Sequence, residues 1–153
     1  MGRRWGSLLF TLPALAVLVL DAATKAAVRV WLPVGESLAV VPGAFYLTHA
    51  LNPGAAFGLL PGARLPLIAV GILALGALAF VSHRMGKEES FLQLALGLQF
   101  GGTGGNLVDR VRLGHVTDFL DFRVWPIFNL ADSAIVVGAM LLVGWLLHRG
   151  NRG

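Results

Sequence analysis

Residues 97–132 read GLQFGGTGGNLVDRVRLGHVTDFLDFRVWPIFNLAD. The segment opens on an apolar, glycine-rich run and closes on another apolar run. Between and within them it holds Asp109, Asp118, Asp121 and Asp132, four of the eight acidic residues in the chain. With 56% hydrophobic and only 13% charged residues, the sequence concentrates its few carboxylates here. Ionisable groups within or beside a bilayer are costly to desolvate, and their default reading is functional. The segment therefore reads as an active site set between two membrane-spanning elements.

The flanking runs define the architecture. A mean hydropathy of +0.76 over 153 residues leaves no room for a separate water-soluble core, so 1–153 reads as one membrane-embedded domain. Four apolar runs have spanning length, at about 6–30, 66–82, 91–108 and 128–148. Trp5 and Trp31 bracket the first and Trp125 and Trp145 the fourth, as interfacial aromatics do. In the third, Gly97, Gly101 and Gly105 recur at intervals of four, the pattern that lets membrane helices approach backbone to backbone. Packing inside the chain accounts for that pattern better than a dimer, and a monomer is expected. Residues 32–60 change character: Ser37–Val41 and Ala44–Ala50 are short, partly β-branched or aromatic runs separated by Pro42 and Gly43, the punctuation of a small surface sheet. The expected fold is an all-α integral membrane protein, four transmembrane helices with a small extracytoplasmic β-sheet.

Four spans place both termini on one side of the membrane. Lys and Arg divide six and six between the sides, but the six beside the termini crowd into three short segments, which puts the termini in the cytoplasm and the carboxylates outside. A net charge of +4 does not indicate nucleic acid here, because the basic residues are scattered between apolar runs as loop anchors. A basic start followed by an apolar run also describes a secretory signal peptide. This run leads into Asp21 and Lys25 without a clear small-x-small cleavage site, so it reads as a retained first span. The chain has no cysteine, which excludes disulfides and thiolate chemistry.

Three readings compete for the carboxylates. Asp132 falls about one turn into the fourth span and Asp118 in the loop before it. If that loop folds back, the two face each other and cannot both ionise, which suits general acid and base hydrolysis of the aspartic-protease type. The structural alternative for Asp132 is compensation of the helix dipole after a capping Asn129. Asp118 and Asp121, three apart and near His115, suggest instead a hard-cation site for phosphoryl transfer. The residues around them, Phe119, Leu120 and Phe122, look more like a membrane-edge strand or loop. A lone intramembrane Asp132 would suit an ion or proton path, but the carboxylates cluster at one surface. Elsewhere, Asp21 and Lys25 lie one helical turn apart, where they can pair. Asn52-Pro53-Gly54-Ala55-Ala56-Phe57-Gly58 taken alone is a Gly/Pro loop.

Five motifs in order then carry a resemblance over nearly the whole chain: Asp21-Ala-Ala-Thr24-Lys25, Asn52-Pro-Gly54-Ala-Ala-Phe57, Gly101-Gly-Thr-Gly-Gly105-Asn106-Leu-Val-Asp109-Arg110, Val116-Thr-Asp118-Phe119 and Phe128-Asn129-Leu-Ala131-Asp132. Together they resemble the bacterial lipoprotein signal peptidases, signal peptidase II. The resemblance implies a multi-pass aspartyl endopeptidase of the bacterial cytoplasmic (inner) membrane with an outward-facing site. Its substrates would be diacylglyceryl-modified prolipoproteins, cut before the lipid-modified cysteine, with membrane lipid as its surroundings and with no cofactor and no metal. It maps the catalytic pair onto Asp118 and Asp132, and makes Asp21, Lys25, Asn52, Gly54, Asn106, Asp109, Arg110 and Asn129 substrate-binding or site-shaping residues. Asp109 and Arg110 are expected to act as a positioning pair, since a permanently charged Arg would hold an adjacent carboxylate ionised. Two departures stand out: the interval from Asp118 to Asp132 is short for the family, and Gly58 stands where a hydroxyl residue is common.

Overall fold

A computed structural model describes residues 2–54, 63–85 and 89–150. The loop residues Ala55 to Gly58 lie outside these, as does the side chain of Trp5. The order is α1 (Gly2–Trp31), β1 (Ser37–Val41), β2 (Phe45–Asn52), α2 (Arg64–Arg84), α3 (Ser90–Leu113), β3 (Val116–Asp121) and α4 (Leu130–Gly150). Among the described residues, three of the four helices are long and apolar enough to cross a membrane: Leu8–Trp31, Arg64–Arg84 and Leu130–Arg149. The exception, α3, has 24 residues and so spans about 36 Å. It contains Gln93, Gln99, Asn106, Asp109 and Arg110 because it meets protein on most sides. No residue of α2 is buried, whereas α3 buries eleven.

Glycine makes the central position of α3 possible. A Cβ on Gly97 would strike the Phe10 carbonyl, and one on Gly101 would lie 2.5 Å from the Ala14 carbonyl oxygen. One on Gly105 would lie 2.5 Å from Asp21 Oδ2, so the repeat of four packs α3 in parallel against α1. On another face, Gly102 abuts the Ala131 carbonyl and Gly138 of α4 lies against Ala95 and Gln99, which sets α4 antiparallel to α3. Each glycine costs helix stability relative to alanine, and the close approach offsets that cost.

The third helix runs to Leu113, five residues beyond the expected end at 108, and stops where Gly114 takes the left-handed conformation at φ 83°. The fourth starts at Leu130 rather than 128, because Phe128 is tied to Leu120 by backbone hydrogen bonds of 2.8 and 3.1 Å. The surface sheet has the order β1-β2-β3, antiparallel throughout. Its third strand comes from the Asp118 segment and pairs Ala50 with Asp118. The strand carries the catalytic candidate because the chain between α3 and α4 folds back onto the hairpin of residues 37–52.

Candidate active site

β3 delivers Asp118 and the first turn of α4 delivers Asp132. The Leu120 to Phe128 bridge closes the loop between them and brings the two together. Asn129 stands between the pair. Its Nδ2 donates to Asp118 Oδ1 at 2.7 Å, its backbone N–H donates to Asp132 Oδ2 at 3.3 Å, and its Oδ1 accepts the Asp132 N–H at 2.9 Å. The exchange with Asp132 is a capping box. Asn129 is therefore a helix cap and a site residue at once, and the two readings of it are not alternatives.

The remaining carboxylate oxygens are held in the same manner. Asn52 Nδ2 donates to Asp118 Oδ2 at 3.0 Å, and Asn106 Nδ2 donates to Asp132 Oδ1 at 2.7 Å. The orientation of each amide follows from the partner of its oxygen. Asn52 Oδ1 accepts the Gly54 N–H (3.0 Å), Asn129 Oδ1 accepts the Asp132 N–H, and Asn106 Oδ1 accepts the Lys25 ammonium (2.9 Å). A backbone N–H and an ammonium can only donate, so all three amide groups turn their N–H toward the carboxylates. Burial pushes the Asp118 carboxyl up to about 6; the neighbouring Asp132 charge adds to the rise, while the Asn52 and Asn129 hydrogen bonds oppose it.

Behind Asn106 lies a second acidic cluster. Lys25 Nζ is 2.8 Å from Asp21 Oδ2 and 3.3 Å from Asp109 Oδ2, and all three residues are buried. Asp21 Oδ1 also accepts the Ala131 N–H at 3.0 Å, so it ties α1 to the otherwise unsatisfied start of α4. Asp109 accepts the Thr117 N–H at 3.1 Å. Arg29 NH1 donates to Thr117 Oγ1 at 2.9 Å and lies 3.5 Å from Asp109 Oδ1.

This arrangement corrects the expected Asp109 and Arg110 pair. Neighbours on a helix point in different directions. Asp109 faces Lys25 and Arg29, while Arg110 turns into the cavity and donates to the carbonyls of Gly54 (3.0 Å) and Asn106 (3.4 Å). The cation that holds Asp109 is thus Lys25, 84 positions away in sequence. The cation-site reading of Asp118 and Asp121 also fails on geometry. An odd spacing on a strand puts the two side chains on opposite faces, and Asp121 bonds Thr48 and Arg123 instead. His49 is buried, with Nδ1 2.7 Å from the Leu32 carbonyl oxygen.

All ten candidate residues thus gather in two joined networks. Arg29 and Thr117 were missed, although Arg29 shares the Asp21 and Lys25 face of α1 at i+8 and i+4. The carboxylate pair opens onto a cavity of about 860 Å³ whose walls include Arg110, Phe122, Trp125, Ile127 and Val136.

A membrane-embedded helical bundle with a paired, amide-held carboxylate site belongs to the aspartyl class of intramembrane hydrolases by its geometry. Comparison with known proteins agrees. The family described as signal peptidase (SPase) II matches residues 13–148. The lipoprotein signal peptidase of Pelotomaculum thermopropionicum is 49% identical over 136 residues, covering 89% of this chain and 90% of that protein. That of Halothermothrix orenii is 42% identical over 139 residues, covering 91% and 95%. A bacterial membrane enzyme solved by the in meso method at 2.3 Å resolution superposes with a TM-score of 0.89 at 34% identity, covering 92% of this chain and 88% of that one. The chain belongs to the signal peptidase II family. It is a membrane aspartyl peptidase that removes signal peptides from prolipoproteins.

Proposed function

We propose that Asp118 and Asp132 are the catalytic pair and that they hydrolyse the peptide bond before a diacylglyceryl-modified cysteine without a covalent intermediate. The observation that supports this most directly is Asn129, which hydrogen-bonds both carboxylates and so fixes them relative to one another. Asp118, with its raised proton affinity, carries the proton that the pair shares. A water between them gives a proton to Asp132 as its oxygen bonds to the scissile carbonyl carbon, and Asp118 protonates the carbonyl oxygen. Asp132 then passes its proton to the departing nitrogen as the C–N bond breaks, and Asp118 recovers its proton from the diol. Arg110, in the cavity wall, supplies positive potential near the oxygen where charge develops.

Apolar substrate groups lie against the cavity wall, so binding energy far from the bond orients the bond itself. Val136 and Val137 of α4 line this wall and are about half exposed, which makes the cavity continuous with the lipid-facing surface. The basic residues crowded beside the termini favour a cytoplasmic location for both ends in the bacterial inner membrane, with the site outside. The glycine face of α3 is covered by α1, which favours a monomer.

The test is cleavage of a diacylglyceryl-modified prolipoprotein by purified protein in detergent with EDTA. Both Asp118→Asn and Asp132→Asn are expected to lose roughly 10²- to 10⁴-fold in rate, with wild-type turnover unaffected by EDTA. Turnover that survives either substitution in a folded protein sinks the pair, and inhibition of wild type by EDTA returns a metal-dependent reaction to consideration.

A further inference from the structure

Asp121 has no part in the reaction above, yet it is only 4% exposed and it joins strand β2 to the turn at Arg123. Thr48 Oγ1 donates to Asp121 Oδ2 at 2.7 Å. That engages the single hydroxyl proton of Thr48, so the 2.8 Å contact between Ser37 and Thr48 is donated by Ser37. A hydrogen-bonded chain therefore crosses the sheet from β1 through β2 to Asp121 on β3. Asp121 Oδ1 accepts the backbone N–H of Arg123 at 2.8 Å, and Arg123 Nε lies 3.3 Å from Oδ2. The guanidinium sits 3.9 Å above the Tyr46 ring. Burial alone would raise the Asp121 carboxyl, but the Thr48 hydroxyl, the Arg123 N–H and the Arg123 charge together hold it below the usual carboxylate range.

These contacts restrain a strained backbone. Arg123 has φ 63°, the only positive φ at a residue other than glycine among the described residues. Left-handed backbone is uncommon for such a side chain and persists where its surroundings over-determine it. From Arg123 the chain runs out through Val124 to Ile127 and returns at Phe128, which pairs with Leu120. Phe122 and the whole of residues 124–128 line the cavity. Val124 and Trp125 are 90% and 59% exposed, apolar side chains held out at the rim. The direction taken at Arg123 thus decides where one wall of the site stands. The acid and base lie at the feet of the same loop.

We propose that Asp121 is a positioning residue for substrate recognition: acting through Arg123, it sets the wall of residues 124–127 against which an apolar chain of the substrate packs. The proposal rests on the reading that Asp118 and Asp132 cut a bond in this cavity. It separates recognition from chemistry within a single short loop. Removing Asp121 loosens the wall and weakens binding, while the amide network around the carboxylates, which does not include Asp121, still supports the chemical step.

The experiment measures kcat and KM of the full-length protein in detergent on a diacylglyceryl-modified prolipoprotein for five variants. Asp121→Ala is expected to raise KM about tenfold with kcat within about twofold. In Asp121→Asn the amide oxygen still accepts the Arg123 N–H and its N–H group donates to Thr48, so this variant recovers part of the loss. Arg123→Gly keeps the left-handed turn without the guanidinium, whereas Arg123→Val opposes the turn itself. The KM of Arg123→Val is therefore expected to exceed that of Arg123→Gly several-fold, and this pair carries the test if Asp121→Ala does not fold. Unchanged KM, a loss confined to kcat, or equal KM for the two Arg123 variants overturns the proposal. Substrates with shortened acyl chains, run beside substrates with a shortened apolar signal segment, identify which chain meets the wall, since the KM effect shrinks for that one. Asp118→Asn in the same series tells the two readings apart: if it remains active the catalytic assignment fails, and if it is inactive while the KM values stay level only the Asp121 proposal does.

Discussion

Two acidic clusters sit side by side in this protein, each built on two carboxylates, and opposite kinds of partner hold them. Asp21 and Asp109 face Lys25 and Arg29. Asp118 and Asp132 face the amides of Asn52, Asn106 and Asn129 and one backbone N–H. A neighbouring cation compensates the charge of a carboxylate and ties it in place. An amide donor orients a carboxylate while leaving its charge uncompensated, so a shared proton can occupy the pair. Burial does not tell Asp21 from Asp118, which at 1% and 3% exposure are equally enclosed, although Asp132 is half-buried. On the proposed assignment of Asp118 and Asp132, the partner decides which carboxylate anchors helices and which handles protons. Lys25 joins the two by holding the Asn106 oxygen, so the anchoring cluster also orients the reactive one.

The most damaging way to break this division is Lys25→Met. It leaves two buried carboxylates without their shared cation and is expected to cost roughly 3–5 kcal/mol, read as a large drop in the thermal midpoint of the detergent-solubilised protein. Stability within about 1 kcal/mol of wild type would show that Lys25 does not compensate the cluster.

A second contrast lies in pH. The Asp118 carboxyl is raised from 3.8 to about 6 in the folded protein. A group bound more tightly to its proton in the native state contributes stability below its unfolded pKa, and that contribution is lost as pH rises through the folded one. Between about pH 3 and about pH 7 the wild type is expected to lose roughly 3 kcal/mol from this group. The decline should flatten in Asp118→Asn; an unchanged slope would place the titration elsewhere. The same proton predicts that kcat/KM falls on the alkaline side with an apparent pKa near 6, a property of the pair as a unit.

A smaller effect tests the packing that brings the clusters together. In Gly105→Ala the new methyl would lie 2.5 Å from Asp21 Oδ2, and the shift it forces is expected to cost roughly 1–3 kcal/mol. At Gly104 a Cβ would meet Leu18 Cδ1 and Cγ at an ordinary 3.5 and 3.8 Å. Gly104→Ala should therefore be neutral, or stabilising by up to about 1 kcal/mol through helix propensity. Equal effects at the two positions would remove the close approach of α1 and α3 as an explanation for the glycine repeat.

Much of this was legible in the sequence where the signal is local. Asp21 and Lys25 announce their pairing by a one-turn spacing, Asn129 and Asp132 announce a helix start by theirs, and the Pro42-Gly43 break marks the hairpin of the sheet. The Asp109 and Arg110 pairing was misread because adjacency in sequence is not adjacency on a helix. The role of Asp121 was hidden because its meaning lies in Thr48 and in the backbone angle of Arg123, neither of which spacing reveals.

By itself the sequence determined the membrane class and the motifs of a signal peptidase II, since hydropathy and short-range spacing are properties of contiguous residues. Only the tertiary structure decided which carboxylates receive cations and which receive amides. Lys25 reaches Asn106 across 81 positions and Asn52 reaches Asp118 across 66, contacts that exist because glycine lets α3 close on its neighbours and because β3 folds back onto β2.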